Sequence, residues 1–183
     1  MKKSILVVLL FLSIASFGQT YIKGNALTAL ALMPNFGIET SIGKKTTFQF
    51  DILAFPWKSI NGKPRQFYTV TNEFRYHFNE KFNGFYAGAN AGMSKYNFQK
   101  WNYEHLDKYQ KGFGYFFGAT IGYEKKWNDK FTIDYFVGGG WHQGFYHGYQ
   151  ISDDASYEHA VHWNKSGEWL PFRGGIMISY KLN

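Results

Sequence analysis

The sequence predicts an all-β fold: an eight-stranded antiparallel up-and-down transmembrane β-barrel behind an N-terminal signal peptide. Three features predict it, namely alternating apolar and polar runs, short turns set against long connections, and a basic-then-apolar leader. Thr47-Phe48-Gln49-Phe50-Asp51-Ile52 shows the alternation. Side chains change face at every residue of a strand, so Phe48, Phe50, Ile52 and Ala54 share one face, opposite Thr47, Gln49 and Asp51. In a soluble sandwich the polar faces would carry Lys and Glu. Here they carry Gly, Ser, Thr, Asn and isolated charges, as in a small barrel with lipid outside and a polar interior.

In the leader, Lys2-Lys3 precede an apolar run from Ile5 to Ile14 broken only by Ser13, and Ser16-Phe17-Gly18 offers a cleavage site before Gln19. This reads as a secretory signal peptide over residues 1–18, since a membrane anchor needs about 20 apolar residues. Of the 183 residues, 165 then form one barrel domain over residues 19–183. Cys is absent, which excludes disulfides and a cysteine-linked lipid. The net charge is +7, or +5 without Lys2 and Lys3. Its lysines scatter through turns without a stripe, which fits anionic headgroups of outer-membrane lipid and lipopolysaccharide and excludes nucleic acid as a partner. The mean hydropathy is −0.36, as expected where alternation hides spanning strands.

Gly43-Lys44-Lys45, Asn79-Glu80-Lys81 and Asn128-Asp129-Lys130 are short turns, while Pro56–Arg65, Asn97–Lys111 and Gln143–Gly167 are long connections. With a tight corner at Met33-Pro34-Asn35 as the fourth outer connection, the count is eight strands. They are expected at Asn25–Leu32, Asn35–Ile42, Thr46–Phe55, Phe67–Phe78, Phe85–Tyr96, Phe113–Tyr123, Phe131–Trp141 and Leu170–Leu182. Alternation is poor in the first, and Asn25–Ile42 reads equally as one bent strand or as a segment that starts with a short helix. The last places Phe172, Ile176, Ile178 and Tyr180 outward. Trp57, Tyr76, Tyr123, Trp127, Trp141, Trp169 and Tyr180 stand near strand ends, where interfacial aromatics belong.

An eight-stranded interior is just wide enough for its own side chains. The inward glycines therefore argue for a plugged barrel. Glu39, Asp51, Glu73, Glu124 and Asp134 face the same interior as Arg75, Arg173 and Lys181, which predicts a salt-bridge network, because an unpaired buried charge costs several kcal/mol.

Inward His77 and His142 suggest a catalytic alternative, with Ser94 or Ser152 as nucleophile beside His142. Strand direction puts the two histidines at opposite ends, and packing at the rim is the expected role of His142. The last connection holds His142, His147, His159 and His162 with Asp153, Asp154 and Glu158. His159-x-x-His162 has a spacing that suits zinc or copper, but polar loops collect such residues routinely. Neither a metal nor a cofactor is expected. The loop aromatics Phe145, Tyr146, Tyr149, Tyr157 and Trp163 suit headgroups, or an extracellular protein or glycan.

From Pro34-Asn35-Phe36-Gly37-Ile38-Glu39 onward the chain resembles a family. The likeness continues through Phe55-Pro56-Trp57, Glu73-x-Arg75-Tyr76, Phe82-Asn83-Gly84 with Gly88, and Gly122-Tyr123 before Trp127. These residues are similar to the Bacteroidota outer-membrane β-barrel family known as domain of unknown function 3575. Members often have Asn-Pro-Trp where this chain has Phe55-Pro56-Trp57, and their C-terminal ends are more aromatic than Lys181-Leu182-Asn183. The resemblance implies a barrel in the outer membrane of a Gram-negative bacterium, delivered by the barrel-insertion machinery. It implies no activity and carries over no site residue. The expected function is a monomeric, non-enzymatic barrel with a structural or interaction role through its loops. The alternatives are a lipid-A or other lipid-modifying enzyme at the outer rim, and a narrow conduit for small hydrophobic molecules that leave through a lateral gap.

Overall fold

In the computed structural model, residues 18–157 and 162–183 are described; the leader expected over residues 1–18 lies, Gly18 apart, outside them. The alternating runs become β1 (Thr20–Asn25), β2 (Asn35–Ser41), β3 (Thr46–Phe55), β4 (Ser59–Ile60), β5 (Lys63–His77), β6 (Gly84–Phe98), β7 (Tyr109–Lys126), β8 (Phe131–Tyr149) and β9 (Asn164–Lys181). One short helix, α1 (Ala26–Leu30), follows β1. Every pairing is antiparallel, in the order β3-β2-β1-β9-β8-β7-β6-β5, and β3 also pairs with β5, so eight strands close into a ring. The two residues of β4 only extend a hairpin on β5.

Strands two to eight of the sequence reading correspond to β2, β3, β5, β6, β7, β8 and β9, with Ile42, Phe78 and Leu182 each one residue past the observed ends. The first does not: residues 26–30 are helical, and the strand lies earlier, at Thr20–Asn25. Asn25 stops it by turning its side chain onto the backbone, where Oδ1 accepts the N–H of Thr28 at 3.4 Å. Ala and Leu then favour helix, so residues 26–34 replace the tight corner expected at Met33-Pro34-Asn35. One face also departs from expectation. The Gly138–Arg173 pair is followed by Gly140–Leu170, which gives β9 one extra residue. This bulge turns Phe172 inward, 4.5 Å from Phe116, although plain alternation places it outward.

The ring is inverted relative to a soluble core. Glu39, Glu73, Arg75, Glu124 and Asp134 are completely buried, while Phe36, Phe85 and Ile121 are more than 60% exposed. Among the described residues, Tyr86, Phe136 and Met177 form a small buried apolar cluster. Inward glycines make room for these fillers: a Cβ on Gly122 would lie 2.5 Å from the Tyr86 hydroxyl.

Candidate functional site

The interior divides into two levels. Toward the short turns lies a charged floor. Lys23 on β1 donates to Glu39 at 2.6 Å and Asp134 at 2.8 Å, and approaches Glu124 at 3.5 Å. Arg75 on β5 reaches Asp134 at 2.8 Å, Glu39 at 3.1 Å and Glu73 at 3.0 Å. Arg173 on β9 binds Glu73 at 2.8 Å and Asp51 at 2.9 Å, tying the upper part of the floor to the lower. Neutral donors use further lone pairs: Tyr86 donates to Asp134 at 2.9 Å, Thr132 to Glu124 at 2.8 Å and Thr47 to Glu39 at 2.5 Å. The structure thus brings together Glu39, Asp51, Glu73, Arg75, Glu124, Asp134 and Arg173.

Lys181 is not among them. It sits half-buried at the turn end with no ion pair among the described residues. The missing cation is Lys23, which the sequence reading passed over because it placed no strand at Thr20–Asn25. The alternation Tyr21-x-Lys23-x-Asn25 carries a signal, but with Ile22 as its only large outward partner the signal is faint. His77 belongs to the floor: Nε2 lies 3.1 Å from Thr47 Oγ1, and the ring packs 5.3 Å from Tyr86. Glu39, His77 and Glu124 bring ligand atoms within 4.8 Å of one another. The Lys23 ammonium already supplies positive charge between the two carboxylates.

Toward the long connections the interior widens into a cup of about 430 Å³. Its wall is mostly apolar, with Phe67, Tyr96, Phe98, Trp101, Phe116 and Phe172 among its lining residues. Polar groups, among them Thr69, Ser94, Gln110, His142 and Glu168, project into it from β5 to β9. Ser94 Oγ and His142 Nε2 are 2.7 Å apart, across the intervening Gly114 of β7. That glycine is required, since a Cβ there would lie 2.6 Å from His142 Nε2. Glu168 is the register partner of His142 on β9. It accepts from Ser166 at 2.5 Å and is paired with Lys100. Of the two candidate nucleophiles, then, Ser94 joins His142, and the packing role expected of that histidine is accompanied by a direct hydrogen bond. Ser152 lies instead in the outer connections, donating to Asp107 at 2.5 Å.

The other loop residues do not converge. His147 packs against Trp163 with tilted rings and centroids 4.0 Å apart, and Asp154 is held by Tyr109 and Lys111. These hydrogen bonds, the Tyr109 hydroxyl first, hold the Asp154 carboxyl below its ordinary range. Glu158 and His159 lie outside the described residues. Trp57, Trp141 and Trp169 stand on the outer face near the long connections, with Trp141 edge-on to Trp169 at 6.1 Å. Tyr76, Tyr123, Trp127 and Tyr180 stand near the short turns, all exposed.

A comparison with curated proteins returns no match. The model of the family described as "Protein of unknown function (DUF3575)" matches residues 4–182, nearly the whole chain, and the chain belongs to that family.

Proposed function

We propose that the protein is an integral eight-stranded β-barrel of an outer membrane, of Bacteroidota type, that binds a small amphipathic molecule in a cup open toward its loops. The charged floor makes the barrel a plug, with no through-passage for ions. The observation that carries this reading is the inversion of polarity. Salt-bridged charges fill the interior, and large apolar side chains cover the outside well beyond the few hundred Å² usual on a soluble monomer. The two aromatic groups near the ends of the wall suit the two interfaces of a bilayer. The leader over residues 1–18, the insertion machinery and contacts with lipid and lipopolysaccharide belong to the same proposal. Carbonate-washed membranes and heat-modifiable gel mobility test it: the protein should stay with the outer membrane and run faster unheated. A monodisperse, detergent-free periplasmic product would overturn it.

A second reading has its own observation, the 2.7 Å Ser94–His142 hydrogen bond within an apolar cup. In a lipid-ester hydrolase, His142 would take the Ser94 proton as Oγ attacks the carbonyl carbon. The departing alcohol would leave with that proton, and water would then release the acyl group. Labelling of intact cells by a fluorophosphonate, abolished by Ser94→Ala and by His142→Ala, would favour it. Wild-type protein that takes no label would exclude it.

A further inference from the structure

We propose that the cup opens sideways into the membrane, through a gap between β9 and β3 that α1 stoppers, and that a single-chain amphiphile passes through it. This inference rests on the membrane reading above and adds a route and a ligand class to it.

The gap follows from strand heights. β1 pairs with β9 only from Tyr21 to Asn25, which faces Met177, whereas β8 pairs with β9 all the way to Asn164. β2 begins at Asn35, opposite Leu53, and β3 ends at Phe55. Above the level of Asn25, then, the free edge of β9 meets no strand among the described residues. Its composition suits an edge. Pro171 offers no N–H, and the extra residue of the bulge lies beside it. Asn25 ends the paired part, donating to the Gly174 carbonyl at 3.2 Å and accepting from Ile176 N–H at 3.3 Å.

The cavities run through this gap in series. The cup shares Leu53, Thr69, Pro171 and Phe172 with a second cavity of about 250 Å³. That cavity shares Asn25 and Asn35 with a groove of about 530 Å³ on the outer face, lined by Ala29, Leu32, Phe36 and Trp57. What separates inside from outside is α1, none of whose residues is buried. Leu27 and Leu30 turn to the outside, and Trp57 pins the helix end with one hydrogen bond to the Leu32 carbonyl at 3.0 Å. A one-turn helix satisfies part of its own backbone, so it can sit at the lipid boundary where a ragged loop cannot. The path is apolar at its outer end and along the aromatic part of the cup, with a polar neck where Asn25, Asn35 and the Asp51–Arg173 ion pair line the middle cavity. That order suits one alkyl chain with a small polar head.

The test uses Thr28→Cys with Gly174→Cys, both lining the middle cavity, in a chain with no cysteine of its own. A Cβ at Gly174 meets nothing closer than 3.7 Å. A diazirine-bearing palmitic acid is dissolved in proteoliposomes and irradiated, and labelled residues are mapped by mass spectrometry. Reduced protein should be labelled at Phe116 and Phe172 inside and at Phe36 outside. Oxidation to the disulfide should cut the interior labels about tenfold while Phe36 stays labelled, as for a gate that controls access. Leu53→Trp, which fills the neck, should do the same without any cross-link. Undiminished interior labelling in both the disulfide form and Leu53→Trp would overturn the sideways route and leave the cup standing. Absence of interior label in reduced protein would overturn the cup as well, and failure to enter the liposomes would overturn the membrane reading itself.

Discussion

Arg75 on β5 and Asp134 on β8 stand three strands apart around the ring, and the guanidinium spans the interior to meet the carboxylate at 2.8 Å. An interior that one side chain can cross is braced, not open. Glu73 extends the brace by accepting from Arg75 and from Arg173 at once. Burying so many charges is tolerable only while each keeps its partners.

Arg75→Met should therefore cost roughly 3–5 kcal/mol, because it takes one of two cationic partners from each of Glu39, Glu73 and Asp134. Adding Glu73→Gln should recover part of that loss. Urea unfolding in lipid vesicles, followed by gel mobility, gives the double-mutant cycle. A coupling near zero would mean that the two side chains do not interact directly.

Phe50→Arg and Ile133→Arg should impair membrane insertion far more than Thr71→Arg. The first two face outward, where an Arg at the bilayer midplane costs roughly 2–4 kcal/mol. Thr71 is buried inside, with Asp51 as its register partner on β3. Equal folded fractions for all three variants would overturn this assignment of faces.

Gly114→Ala should push the His142 imidazole away from Ser94, at a packing cost of about 1–3 kcal/mol. The ring resonances of His142 report the displacement directly. Unchanged resonances would mean that β7 yields there in place of the histidine.

Glu80, in the turn after β5, accepts from Lys126 at 3.1 Å and from Asn83 at 3.0 Å. These hydrogen bonds, the one from Lys126 first, lower its pKa below the ordinary 4.5. A lowered folded-state pKa adds stability above the unfolded value and loses it as pH falls through the folded one. The site is exposed, so the amount stays under about 1 kcal/mol. Glu80→Gln should remove this increment at pH 7 and change nothing at pH 2; an equal effect at both would assign it to packing.

Most of the wall was legible because a ring with a polar interior and an apolar outer face obliges each strand to alternate over its full length. Thr46–Phe55 matches residue for residue, and the inward Glu73, Arg75 and His77 follow from the outward Phe74 and Tyr76. Legibility fails where that obligation lapses. β1 is six residues long with one large outward side chain, so nothing in its pattern exceeds the helical preference of Ala26–Leu30, and Lys23 was lost with it. The bulge at Pro171 shifts phase by one residue, which no period-two reading can follow, and Phe172 was turned the wrong way. Ser94 and Ser152 are both legible as neighbours of His142, but the choice between them needs register across three strands, which is not written in either residue's neighbourhood.

The junction of β1 with β9 has a kinetic meaning. Thr20 N–H reaches the side-chain oxygen of Asn183, 163 residues away in sequence, and the two strands pair only from Tyr21 to Asn25. Every other junction joins neighbours along the chain through one turn or connection. The sheet can therefore zip up hairpin by hairpin and still be an open sheet with two bare edges. Closure waits for the most distant partners to meet, at the largest loop entropy and across one of the shortest interfaces. Its amide protons should be among the first in the wall to exchange, and the junction should be the place where a half-made molecule can still be unrolled.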